Sequence, residues 1–232
     1  MFMRTESDPC ISQPPCFQHR SKNARTGFSL LELIIVLSIG LILAVISIPN
    51  LNTYFHNNKL RSAGTDYAGL LVQVRFRAVQ DSRYYSLYFL AGNSHRAFAD
   101  IYPQNASGAS GSGGLTIDPK DPDIGISNEV NVQPQTSAPN TANLITQFLP
   151  ASTTITPVDG SLALSPVTFS PFGLPCVSTV VTGGSICNSK SGPVAYWVFL
   201  ENNVTQSWEA VTVTPAGRID KWNYTSGAWQ VL

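Results

Sequence analysis

Histidine is nearly absent from this chain, with His19, His56 and His95 the only three among 232 residues. The motifs that usually accompany catalytic chemistry are missing as well. There is no GxSxG nucleophile turn and no CxxC pair, and the glycine run at 108–114 lacks the Lys-Ser/Thr that completes a phosphate-binding loop. Neither His56 nor His95 has a carboxylate or nucleophile signature beside it in sequence. Nothing therefore assembles the parts of an active site, and the expectation is a protein that is not an enzyme and holds no cofactor. A surplus of either charge is also lacking, because Lys plus Arg and Asp plus Glu number 14 each. That balance removes any global attraction for nucleic acid, so binding of that kind would have to be local.

What the chain does have is one long apolar run. From Phe28 to Ile48 every residue is apolar or small except Glu32, and Pro49 follows. About 20 such residues are what a helix needs to cross a bilayer. A carboxylate inside a span costs on the order of 2.5–3.5 kcal/mol, so Glu32 needs a partner. Arg20, Lys22 and Arg25 precede the run and keep its start on the cytoplasmic side, placing everything after Pro49 outside. A secretory signal peptide would end in a small-x-small cleavage site after a shorter core, and Ser47-Ile48-Pro49 is a poor version of that.

The arrangement Gly27-Phe28-Ser29-Leu30-Leu31-Glu32 followed by the run to Pro49 resembles the class III signal of type IV prepilins and type II secretion pseudopilins. The resemblance implies that a prepilin peptidase cuts between Gly27 and Phe28. It also implies that Phe28 is N-methylated and that Glu32, then the fifth residue, pairs with the freed amine of a neighbouring subunit during assembly. The implied partners are the prepilin peptidase, other pilin or pseudopilin subunits, and the bacterial inner membrane, with the C-terminal head in the periplasm. On this reading residues 1–27 are the leader, 28–49 the transmembrane half of a long helix and 50–82 its amphipathic half. Residues 83–232 form a β-rich head. Removing the leader's four basic and two acidic residues from 14 of each leaves ten basic against twelve acidic groups.

After Pro49, expected to kink the helix, Leu51, Tyr54, Phe55, Leu60, Ala63, Tyr67, Leu70, Leu71, Val74 and Ala78 recur at three- and four-residue spacing. One apolar face against the head is expected along all of them. From Tyr84 the period falls to two, predicting a hairpin over 84–102 and then strands at 153–156, 162–164, 167–170, 194–200, 210–214, 218–222 and 228–232. The fold class expected is α+β, a long N-terminal helix packed on an antiparallel sheet as in pilins. Between hairpin and strands, about 103–142 is rich in Gly, Ser, Asn, Pro and Asp and reads as a mobile insertion. In a periplasmic head Cys176 and Cys187 face an oxidising compartment and are expected to form a disulfide, while Cys10 and Cys16 leave with the leader.

Two further clusters need weighing. Asp118, Asp121 and Asp123, with Glu129 beyond, miss the calcium-loop spacing and read as a solvated acidic loop, and no metal site is expected. Val211-Thr212-Val213-Thr214-Pro215-Ala216-Gly217-Arg218 resembles the C-terminal segment of the pseudopilin H and FimT branch, and Val167-Thr168-Phe169-Ser170-Pro171-Phe172-Gly173 repeats its pattern. In FimT-like minor pilins a GRxR motif is associated with DNA binding, which makes Arg218, Lys221 and Trp222 the alternative DNA contacts here. Asp220 replaces the second arginine and repels phosphate, so a turn role with Arg218 pairing across strands is favoured.

Overall fold

The computed structural model describes residues 29–90, 93–100, 120–149, 155–161, 166–181, 184–187 and 192–232. The chain divides into two units, residues 1–46 and 47–232, taken separately below. In order the elements are α1 (Leu30–Gln80), β1 (Tyr85–Leu90), β2 (Asn93–Asp100), β3 (Asp123–Gly125), β4 (Val130–Gln133), α2 (Thr141–Phe148), β5 (Thr156–Asp159), β6 (Val167–Phe169) and β7 (Pro175–Cys176). There follow β8 (Ser178–Val181), β9 (Gly184–Cys187), β10 (Val194–Asn202), β11 (Trp208–Val213), β12 (Ile219–Thr225) and β13 (Ala228–Val231).

Within the second unit α1 buries Leu60, Ala63, Tyr67, Leu70, Leu71, Val74 and Ala78, the three- and four-residue spacing of one helix face. Two sheets receive that face. One has the order β3-β2-β1-β6-β7 and the other β13-β12-β11-β10-β4. The core shared by α1 and the sheets takes Tyr85, Leu87, Val167 and Phe169 from the first and Val194, Tyr196, Val198, Leu200, Val211 and Val213 from the second. The alternate residues of β10, Ala195, Trp197 and Phe199, point the other way into a smaller core with Leu144 and Phe148 of α2, Trp222 and Trp229. Both faces of β10 are covered, which is why its sequence runs apolar without alternation.

Several expectations are corrected here. Leu51, Tyr54 and Phe55 share a face with one another but not with the buried stripe, being at about 100° per residue on the far side of the helix from Leu60, and they stand exposed at 53, 65 and 59%. The second half of the supposed insertion is ordered: β3 extends the first sheet, β4 pairs with the end of β10, and α2 caps the smaller core. Residues 103–119 lie outside the described residues, as does the 162–164 strand expectation. The sheets are not wholly antiparallel, because β5 runs parallel to the first half of β10, on the edge that β4 takes further along. Of the expected strand at 153–156, residues 153 and 154 lie outside the described residues, and β5 is described at Thr156–Asp159.

The two V-T-x-S/T-P-x-G stretches form the same turn. Gly173 N–H donates to Ser170 O (2.8 Å) and Gly217 N–H to Thr214 O (2.7 Å), with glycine φ of +71° and +80°. The turns meet at Arg75 of α1, whose Nε donates to Gly173 O at 3.0 Å. Cys176 and Cys187 are joined in a disulfide that ties β7 to β9, with Cα atoms 5.4 Å apart. Tyr196 O–H donates to Cys176 O at 2.6 Å from the core side.

One carboxyl in the head makes its stability depend on pH. Burial first, and the neighbouring Asp121 carboxylate second, push Asp100 up to about 6 from 3.8. A group raised in the folded state stabilises the fold fully below its unfolded value, and that contribution disappears as pH rises through about 6. Asp100→Asn is therefore expected to leave stability at pH 4 nearly unchanged and to raise it at pH 7.5 by about 2 kcal/mol. Denaturant unfolding of the detergent-solubilised protein across that range checks it. A variant with the parent's pH slope would contradict the assignment.

Candidate assembly site

The first unit supplies an arrangement no globular core explains. Every large apolar side chain from Leu30 to Ile48 is 48–75% exposed, around the full circumference of the helix. The segment is long and apolar enough to cross a membrane. A helix apolar all round needs lipid or other helices about it, because water solvates none of those faces well. Ser38 Oγ donates back to Ile35 O at 2.8 Å, so this hydroxyl is satisfied within the helix.

Glu32 is the one charged side chain between Ser29 and Phe55, and it stands exposed. It lies in the first turn of α1, where Leu33 N–H donates to Ser29 O at 3.1 Å. The N-terminal turn of a helix carries partial positive charge on its unpaired N–H groups, which favours a carboxylate there. Ser29 and Glu32 also have the S-x-x-E spacing of a capping box, a signal of the helix start that sequence reasoning passed over. Gly27 and Phe28, the expected cleavage pair, lie outside the described residues. The helix runs through Pro49 without ending.

The alternative DNA contacts are not brought together. Trp222 is buried, and its Nε1 donates to Thr212 Oγ1 at 2.8 Å in the smaller core. Lys221 Nζ donates to Thr65 Oγ1 of α1 at 2.9 Å. Arg218, just before β12, is exposed, but its partner is Asp220 two residues along the chain, at 2.9 Å, not a residue across the sheet. A base-stacking indole and paired cations facing a phosphate chain are therefore not presented by these three side chains.

Nor do the acidic residues form a solvated loop. Asp121 is buried, Asp123 pairs with Arg96 at 2.7 Å, and Glu129 lies 2.6 Å from both His56 Nδ1 and Lys59 Nζ. Glu129 is held below the usual carboxylate range by Lys59 and then His56. Sequence offered no carboxylate for His56 because its partner is 73 residues away. Asp118 lies outside the described residues, among which no group of three or more metal-ligating side chains converges.

Residues 22–48 match the prokaryotic N-terminal methylation motif. Among curated proteins none matches the chain. Among solved structures the chain is similar to the type IV minor pilin FimU of Pseudomonas aeruginosa strain PAO1. The identity is 14% and the TM-score 0.43, over 76% of this chain and 96% of that one.

Proposed function

We propose that this chain is a minor pilin-like structural subunit, a building block of a type IV pilus or a type II secretion pseudopilus. The observation that carries the reading is Glu32, a lone carboxylate in the first turn of an exposed, otherwise apolar helix that matches the N-terminal methylation motif. Cleavage between Gly27 and Phe28 by a prepilin peptidase creates an ammonium beside the positive end of the helix, where charge of that sign is unwelcome. Glu32 of a neighbouring subunit neutralises it. In hydrocarbon neither charge is stable alone, so each favours the packed state over the dispersed one.

The basic flank Arg20, Lys22 and Arg25 holds the leader on the cytoplasmic side and directs the head to the periplasm. The Cys176–Cys187 disulfide fits that compartment. The apolar half of α1 first anchors the subunit in the inner membrane and then packs among like helices as the subunit leaves it. The protein's task in this account is assembly, with no chemistry on a small molecule. The experiment that tests it is the mass of the N-terminal peptide of the native protein, which on this reading begins at methylated Phe28.

A further inference from the structure

Two residues of the head depart from the rules of an ordinary helix–sheet seam, and they do so at the same point. Gly64 is buried in the interior of α1, where glycine is a poorer helix former than alanine. Facing it from β11 is Glu209, a carboxyl only 2% exposed. Its Oε2 is sealed from water and has no hydrogen-bond partner. The same atom fills the space a side chain at Gly64 would take, since a Cβ built there would collide with it. The next wall of this slot is apolar, Leu200 Cδ1 of β10 at 3.9 Å from that Cβ.

A carboxyl enclosed in this way is stable only with its proton on, because burial disfavours the charged form. Burial accordingly pushes Glu209 up from the ordinary glutamate value, against the pull of Lys221 in β12 and then of Arg61 in α1. Those two cations frame the seam. Arg61 is exposed three residues before Gly64, and Lys221 Nζ donates to Thr65 Oγ1 one residue after it, at 2.9 Å. Asp66, the next charge along α1, accepts from Ser62 Oγ at 3.2 Å. Leu200 and Asn223, paired with Glu209 across the sheet, are uncharged.

We propose that Glu209 is a proton-operated latch between α1 and the sheet. With its proton it fills the slot at Gly64, and without it the carboxylate leaves the slot for Arg61 and Lys221, loosening the helix over residues 61–68. Each departure from an ordinary seam then has a use: the glycine makes the slot, and the cations receive the charge. A bare carboxylate has no stable position inside the slot, so the device has two states. Because the group is raised in the folded head, the latch is closed below the ordinary glutamate value and opens as pH rises through the folded one. All its parts lie within the second unit.

The test is amide hydrogen exchange of the full chain in detergent at pH 4 and pH 8, corrected for the intrinsic rate at each pH. Asp100→Asn serves as the background, so that the other raised carboxyl is silent. Peptides over 60–68 report the latch, and peptides over 85–90 of β1 are the internal reference. The expected result is protection of 60–68 about tenfold or more lower at pH 8 than at pH 4, with 85–90 unchanged and with no such fall in Glu209→Gln. Gly64→Ala is the second variant. Its added methyl expels the carboxyl, so protection of 60–68 at pH 4 drops to the pH 8 level, and adding Glu209→Ala restores it. Protection of 60–68 that is equal at the two pH values, or that falls as much in Glu209→Gln, overturns the latch. A Gly64→Ala chain as well protected as its parent at pH 4, or a loss that Glu209→Ala does not restore, overturns it as well.

Discussion

A Glu32→Leu chain inserts in the membrane and folds its head like the parent but is lost from filaments. The substitution makes the Leu30–Ile48 segment uniformly apolar, which eases insertion. It removes the one carboxylate of that segment, which on the proposed reading neutralises a neighbour's terminal ammonium. Stripping one partner from a buried ion pair costs about 3 kcal/mol or more, equivalent to about a hundredfold or more in an assembly equilibrium. The measurement is the share of the chain in a sheared filament fraction against the membrane fraction of the same cells. Glu32→Gln should behave nearly as badly, since an amide carries no charge for the ammonium. Parental incorporation of either variant would show that the carboxylate is incidental to assembly.

Gly217→Val strikes at the head in a different way. Gly217 has φ +80°, and a Cβ there would stand 2.6 Å from Gly173 O and 2.9 Å from Arg75 Nε. Valine is among the residues least able to adopt that conformation. The obstructing atom is a backbone carbonyl already bound to Arg75, so neither it nor the guanidinium yields without breaking the junction of the two turns. Backbone strain and the lost junction together should cost about 3–5 kcal/mol. Gly227→Ala is the control. Its φ is +83° but nothing lies within 4 Å of the added Cβ, so it should lose only about 1–2 kcal/mol. Denaturant midpoints in detergent compare the two, and equal losses would mean that the crossing at Arg75 holds nothing together.

The parts of this molecule that announced themselves in sequence are those whose pattern has a single physical cause. The Leu60 to Ala78 face of α1 is a helix stripe buried against the two sheets, and the apolar stretch Val194 to Leu200 is a strand covered on both sides. Three- and four-residue spacing alone does not fix which side of the helix is meant: Leu51, Tyr54 and Phe55 keep that spacing among themselves but, at about 100° per residue, fall on the side away from Leu60 and stand exposed. The stretch 120–142 misled because β3 and β4 are only three and four residues long and sit among turn formers. Likewise α2 is eight residues, entered through Asn140 in a left-handed conformation with no side-chain cap. Its two buried residues, Leu144 and Phe148, are too few to show a period. Among the candidate site residues, Glu32 was legible because a carboxylate inside an apolar run has no ordinary explanation. Trp222 was not, since nothing in Asp220-Lys221-Trp222 tells which face of β12 meets the core. The pairing of His56 with Glu129 depends on how β4 is threaded beside β10, and no local pattern encodes that.

The central claim is that this chain is processed as a prepilin, and the most direct measurement is the intact mass and N-terminal peptide of the protein purified from cells that hold a prepilin peptidase. The account predicts a chain beginning at Phe28, heavier by one methyl group on its α-amine, and an unprocessed chain when the peptidase is deleted. A Gly27–Phe28 bond found intact in peptidase-containing cells, with the leader still attached to a membrane-embedded protein, would contradict it.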